Sequence, residues 1–217
     1  MKPINCSIQS YRRLAMPVAV LSISLLAGCA TMNKEECRTA DWRTIGFEDG
    51  AHGYMASKIA EHRKACAKHG VTPNLEQYQA GREKGLRQFC REGNGYQLGV
   101  SGHAYAGTCP SDMERAFEAA YHHGREIYNL RYRIRANQSA ANRKKHDLKE
   151  LKEELDHTNA LLVGEGKSAA ERVELLARSG EISKEMGKIE GEIHDLDVAN
   201  GALQQQLAQV VATNRYP

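Results

Sequence analysis

A sevenfold apolar repeat runs through residues 182–210. Ile182, Ile189, Leu196, Leu203 and Val210 recur every seven residues, and Met186, Ile193, Asn200 and Leu207 follow at an offset of four. This spacing puts both series on one face of an α-helix, as d and a positions of a coiled coil that another helix must cover. An earlier stripe, Leu148, Leu151, Leu155 and Leu162, keeps a three-to-four spacing and is interrupted at Thr158. Extended by sevens, it falls three residues out of step with the later one. Between them, Val163-Gly164-Glu165-Gly166-Lys167 breaks the helix, and Ser168 with Glu171 forms a capping box. Offset, break and new cap predict a reversal, giving an antiparallel coiled-coil hairpin over residues 137–213. At 1.5 Å per residue the arm is about 65 Å long. A single kinked helix is the competing topology. Gly180, Gly187, Gly191 and Gly201 each cost a helix about 1 kcal/mol relative to Ala, so the second arm departs from an ideal rod. Asn200 either specifies register or sits solvated on the seam.

The other end of the chain reads as an address. Arg12 and Arg13 precede a thirteen-residue apolar run, residues 14–26, which leads into Leu26-Ala27-Gly28-Cys29. A charged start, a short apolar stretch and small residues before the cut make an export signal over residues 1–28. The run is too short to span a bilayer and contains Pro17. Leu-Ala-Gly-Cys resembles the lipobox of bacterial lipoproteins. That resemblance implies cleavage before Cys29 and acylation of its thiol and its new amino group, as with palmitate. Two or three chains anchor stably where one does not. Ala30, rather than Asp, follows the cysteine, so the expected location is the periplasmic face of the outer membrane. Residues 29–40 then read as an acylated tether.

Charge narrows the partners. The 217 residues carry 30 Lys+Arg against 27 Asp+Glu. Three of those bases lie in residues 1–28, where there are no acids, so the remainder is neutral. A neutral chain lacks the basic footprint expected of a nucleic-acid binder.

Of six cysteines, Cys6 leaves with the signal and Cys29 is the lipid site. Cys37, Cys66, Cys90 and Cys109 remain, an even number in an exported domain, which implies two disulfides with three possible connectivities. Locality favours Cys37–Cys66 and Cys90–Cys109, each contributing about 3 kcal/mol. A zinc site is disfavoured because no C-x-x-C is present.

Residues 41–136 read as a small, disulfide-stapled helical head. A first helix starts near Asp41, weakens at Gly50-Ala51-His52-Gly53 and resumes at Ser57. A second begins at Asn74, with Gln77 three residues on, and ends near Cys90. Residues 93–109 hold Gly93, Gly95, Gly99, Gly102 and Gly107 among Tyr96, Leu98, Val100 and Tyr105, which predicts a clamped Gly/Tyr-rich loop or short hairpin. Ser111 with Glu114 then opens a third helix by cap logic, with no stop before Gly164.

Three helical segments share a pattern: Trp42-x-x-x-Gly46-Phe47-Glu48 then Gly50, Tyr78-x-x-Gly81-Arg82-Glu83 then Gly85, and Tyr121-x-x-Gly124-Arg125-Glu126. Glycine within a helix is unfavourable, so its recurrence implies close backbone approach, with the Arg and Glu pairing across the crossing. These residues carry a family resemblance. Cys37-x-x-x-Asp41-Trp42, His62-x-x-x-Cys66, Tyr78-x-x-Gly81-Arg82-x-x-Gly85-Leu86, Tyr105-x-Gly107-x-Cys109-Pro110 and Phe117-x-x-Ala120-Tyr121-x-x-Gly124-Arg125 occur in order. Together they resemble bacterial lipoproteins of the family known as domain of unknown function 2799, over residues 37–135. The resemblance implies a domain and a location, and no activity.

An enzyme would have to be assembled from Asp49, His52, His62, His103, Tyr105, His122 and His123. No serine elbow, phosphate loop or paired-carboxylate motif accompanies them. His62 and Cys66 are four apart, as a metal pair would be, but a bridged Cys66 has no thiolate to offer. The expectation is therefore a non-enzymatic chain without metal or cofactor. Its partners would be the bilayer, through Cys29, and a second copy or an envelope protein, through residues 137–213. The alternative is a small-ligand or glycan module in which Tyr96, His103 and Tyr105 bind on the clamped loop.

Overall fold

A computed structural model describes residues 32–216, so the signal segment and Cys29 lie outside the described residues. The described residues form seven helices and no strand: α1 (Lys34–Arg38), α2 (Trp42–Ala51), α3 (Lys58–Ala67), α4 (Leu75–Phe89), α5 (Glu92–Val100), α6 (Ser111–Val163) and α7 (Ala169–Ala212). The chain is thus mainly α, a helical head followed by a long antiparallel hairpin.

Caps explain most of the helix starts. Asp41 accepts from the backbone N–H of Arg43 and Thr44, and the Thr44 hydroxyl, at 2.7 Å, holds its carboxyl below the usual range. The Asn74 side chain accepts from the Gln77 N–H. Ser168 and Glu171 form the expected reciprocal box, and Asn33 and Glu36 form another ahead of α1. The head therefore begins before Asp41, because α1 brings Cys37 into its core within what the sequence presents as tether. The cap at Ser111 is corrected: Pro110 is the N-cap and gives no side-chain bond. Its fixed φ suits a helix start without one.

The largest correction concerns residues 93–109. They are not a hairpin, and only 101–109 is loop, because 92–100 coil into α5. Gly95 and Gly99 are buried against α6. A Cβ on Gly95 would meet the Phe117 carbonyl oxygen at 2.5 Å, and one on Gly99 the Tyr121 carbonyl oxygen at 2.2 Å. The missing side chains let two backbones touch, and this packing offsets the low helix propensity of glycine.

The same device joins α2 to α4. A Cβ on Gly46 would sit 2.1 Å from the Tyr78 carbonyl oxygen, on Gly81 1.9 Å from that of Arg43, and on Gly85 2.0 Å from that of Phe47. The head is therefore two glycine-faced helix crossings in series, α2 with α4 and α5 with α6. A Cβ on Gly124 would meet the Tyr96 carbonyl oxygen at 2.3 Å, as one on Gly85 would meet that of Phe47. Gly124 corresponds to Gly85, one helical turn from the Gly81 position that its Tyr-x-x-Gly-Arg-Glu setting suggests. The arginines do not pair with glutamates across the crossings either. Arg82 donates to the Tyr54 carbonyl at 2.8 Å and Arg125 to that of Gly102 at 2.7 Å, tying down the turns that follow α2 and α5.

Each crossing has its own disulfide. Cys37 bonds to Cys66 and Cys90 to Cys109, with Cα atoms 5.4 and 5.7 Å apart, the pairing that locality favours. Around the first lie Trp42, Ile59 and Tyr78, and around the second Leu86 and Phe117. A third cluster, Leu130, Ile134 and Leu203, packs at the root of the arm.

The hairpin closes within the chain. Ile182, Ile189, Asn200 and Leu203 are buried on α7, and the remaining seven-residue positions are half-buried. Thr158 interrupts the leucine stripe yet is buried, its hydroxyl donating to the Glu154 carbonyl at 2.8 Å. Lys144 bridges to Glu192, and the Arg178 Nε donates to Glu154 at 3.0 Å. At the tip, Arg172 donates to the Leu162 and Gly164 carbonyls, which satisfies acceptors left open where α6 ends.

Candidate functional site

Two polar-aromatic clusters and one seam polar group concentrate the chemistry of the molecule. The first lies in the first crossing. Asp49 on α2 is buried, and its Oδ2 accepts from the Tyr78 hydroxyl at 2.7 Å and pairs with His62 Nε2 at 2.8 Å. Trp42 and Tyr78 present ring edges to His62 at centroid distances of 6.4 and 6.1 Å. Burial raises the Tyr78 phenol far above its usual range, and the Asp49 acceptor raises it further. The sequence offers Asp49 and His62 as candidates but does not indicate Tyr78, which stands twenty-nine residues from Asp49. The cluster spends its polar groups on one another, since each bonds inward to Asp49. Its evident chemistry is to hold α2, α3 and α4 in register.

Removing its centre tests that role. Asp49→Ala strands the Tyr78 hydroxyl and the His62 nitrogen, and should lower the unfolding free energy by about 3 kcal/mol, against about 1 kcal/mol for Tyr78→Phe. Urea unfolding followed by circular dichroism checks both; equal losses would contradict a carboxylate hub.

The second cluster surrounds α5, where Tyr96, His103 and Tyr105 were expected to form one binding surface. The structure separates them. Tyr105 turns inward: its ring packs on Phe117 at 4.8 Å and Tyr121 at 5.9 Å. Its hydroxyl accepts from the Cys109 N–H at 2.8 Å and donates to Glu114 at 3.2 Å. Burial raises its pKa. His103 contributes its backbone, accepting from the Tyr121 hydroxyl at 3.1 Å, while its side chain is exposed. Tyr96 faces elsewhere, stacking on His123 at 6.0 Å and on Tyr216 at 5.8 Å.

Tyr216 is the partner that sequence reading missed. The segment after α7 folds back onto the head, Asn214 bonds to the backbone N–H and carbonyl of Tyr216, and the Tyr216 ring is buried. It also lies 5.7 Å from His123. Beside it opens a surface cleft of about 770 Å³ lined by Glu92, Asp112, Arg115 and Arg215. The Tyr96 face available to stack a sugar is thus covered by the chain's own tyrosine.

The remaining histidines diverge. His52 bonds through Nδ1 to the Glu48 carbonyl at 2.7 Å and stacks on Tyr54. His122 meets Tyr121 edge-on, away from His123. Cys66 is in a disulfide and has no thiolate to pair with His62, which bonds through Nε2 to Asp49. Among the described residues, no three His, Cys, Asp or Glu side chains converge on a point that would hold a metal ion. No described helix is long and apolar enough to cross a membrane. On the arm, Asn200 is buried in the seam with its Oδ1 unpartnered, a polar group where an apolar one would pack better.

No curated protein and no solved structure matches the chain. A family does, over residues 41–126, which span α2 to the part of α6 that crosses α5. Both glycine-faced crossings and most of both disulfide loops fall in this segment, and the arm lies outside it. Residues 41–126 match the model of the family described as Protein of unknown function (DUF2799).

Proposed function

We propose that the chain is a non-enzymatic envelope lipoprotein, held in the bilayer by acylated Cys29, whose arm associates with a second copy or with another envelope protein. The observation that carries this reading is the distribution of apolar surface on the arm. Its seam is filled within the chain, yet Val163, Val173, Leu176 and Val198 remain 57 to 80 % exposed on other sides. Apolar side chains left exposed after the seam is closed are available to an external contact. The lipobox and Ala30 support the lipid anchor and a periplasm-facing outer-membrane location. The absence of a recognisable catalytic motif and the inward bonding of Asp49, His62 and Tyr78 favour a scaffold over an enzyme.

The experiment is photo-crosslinking in intact cells from Lys152 and Lys188, both exposed on the arm. A discrete adduct from either site, to a second copy or to one envelope protein, is the expected result. An arm that yields no adduct defeats the reading. The anchor has its own test: Cys29→Ser should move the protein from the detergent phase to the aqueous phase in a phase-partition assay, and unchanged partition would refute acylation. A second reading, glycan binding on the head, requires that Tyr216 leave the Tyr96 and His123 rings on which it packs.

A further inference from the structure

Once the expected signal is set aside the chain is neutral, but its charge is not evenly spread. Between Glu126 and Asp147 there are six bases, Arg131, Arg133, Arg135, Arg143, Lys144 and Lys145, and no acid. On the antiparallel partner, residues 198–213 carry no charge of either sign, so α7 offers no counter-charge opposite Arg131, Arg133 and Arg135. Lys144 bridges to Glu192, whereas the other five are exposed and pair with no carboxylate among the described residues.

Helical geometry sorts them further. At about 100° per residue, Tyr128, Arg131, Tyr132, Arg135, Ser139 and Arg143 fall on one side of α6. Leu130, Ile134 and Ala141 are the buried positions of this stretch, and they lie on the opposite side. The head covers this face only as far as Tyr128, against whose ring Gly102 packs. Beyond that it is open. Tyr132 is 59 % exposed and stacked on Tyr128 at 6.4 Å, and Arg125 lies 5.0 Å over the Tyr128 ring.

We propose that this face of α6, at the root of the arm, lies on an anionic lipid surface. Three features select lipid phosphate. Guanidinium groups bind phosphate oxygens in bidentate pairs. An exposed tyrosine with an apolar ring and a polar tip suits the depth of the headgroups. The face is a straight, convex line about 22 Å long from residue 128 to 143, matching a plane of charges; bases to be bound by stacking need a groove. The inference deepens the envelope reading by giving the arm a lipid contact next to its protein contact. It does not need the acyl chain.

The test therefore uses the full chain carrying Cys29→Ser, with co-sedimentation on vesicles of phosphatidylglycerol and phosphatidylcholine in equal parts, and on phosphatidylcholine alone. Pure phosphatidylcholine registers what the apolar N-terminal run contributes, and the glutamine variant described next, which keeps Lys2, Arg12 and Arg13, registers what their charge contributes. Binding should be stronger on the anionic vesicles and fall steeply with salt. Each basic residue near such a surface raises partition about fivefold, so R131Q/R135Q/R143Q should lower it by about a hundredfold. The matching triple lysine variant should retain most of the binding. All three sites are exposed, so thermal unfolding should be unchanged. Equal partition of the glutamine variant, or equal binding to both vesicle types, would overturn the proposal. So would capture of a single-stranded oligonucleotide in preference to anionic vesicles, which would make the face a nucleic-acid surface. Failure here with a successful arm crosslink would leave the protein-docking reading standing, and the reverse result would separate them equally well.

Discussion

Gly85→Ala will destabilise the head by about 3 kcal/mol, at the severe end of what a single added methyl does. The new Cβ would stand 2.0 Å from the Phe47 carbonyl oxygen and 2.6 Å from the Ala51 nitrogen. Both are backbone atoms that cannot rotate away, so α2 and α4 must separate along the crossing. Gly187→Ala, on the outer side of α7, carries the opposite sign. A Cβ there meets nothing within 4 Å, and the substitution should stabilise by about 1 kcal/mol through helix propensity alone. Urea midpoints for the two variants form an internally controlled pair. If both shift in the same direction, the crossing is not as tight as described.

Removing one disulfide will unfold one crossing and spare the other. Cys37 and Cys66 are 29 residues apart and close the loop around α2 and α3; Cys90 and Cys109 are 19 apart and close that around α5. In the chain-entropy view each contributes about 3 kcal/mol through the unfolded state. Cys37→Ser with Cys66→Ser should therefore expose α2 and α4 to hydrogen exchange while α5, α6 and the arm keep their protection. The reciprocal pair at Cys90 and Cys109 should reverse the pattern. Uniform loss of protection in both variants would show that the head unfolds as one unit.

The arm was readable because a seven-residue repeat is a property of the chain itself. The positions that recur, Ile182 to Val210, are those the structure turns inward. The disulfides were readable from spacing, since short loops close most easily. Helix α5 was hidden because Gly93, Gly95 and Gly99 suppress local helix propensity, and tertiary packing restores what the segment lacks. A signal was present: Gly95 and Gly99 repeat the four-residue spacing of Gly46 and Gly50. The Asp49, His62 and Tyr78 cluster could be named only in part, because three helices separated in sequence must converge before it exists. Tyr216 gave no local signal, as its partners lie over ninety residues earlier.

The folded-back segment also bears on how the molecule carries load. Helix α6 leaves the head without a break, and α7 returns to it and is fastened there by Tyr216 stacked on Tyr96 and His123. A pull on the tip, where Arg172 locks the two helices of the hairpin together, is therefore shared by two tethered struts. With both roots fixed, neither helix can slide along the other, and the force reaches the head along two parallel paths.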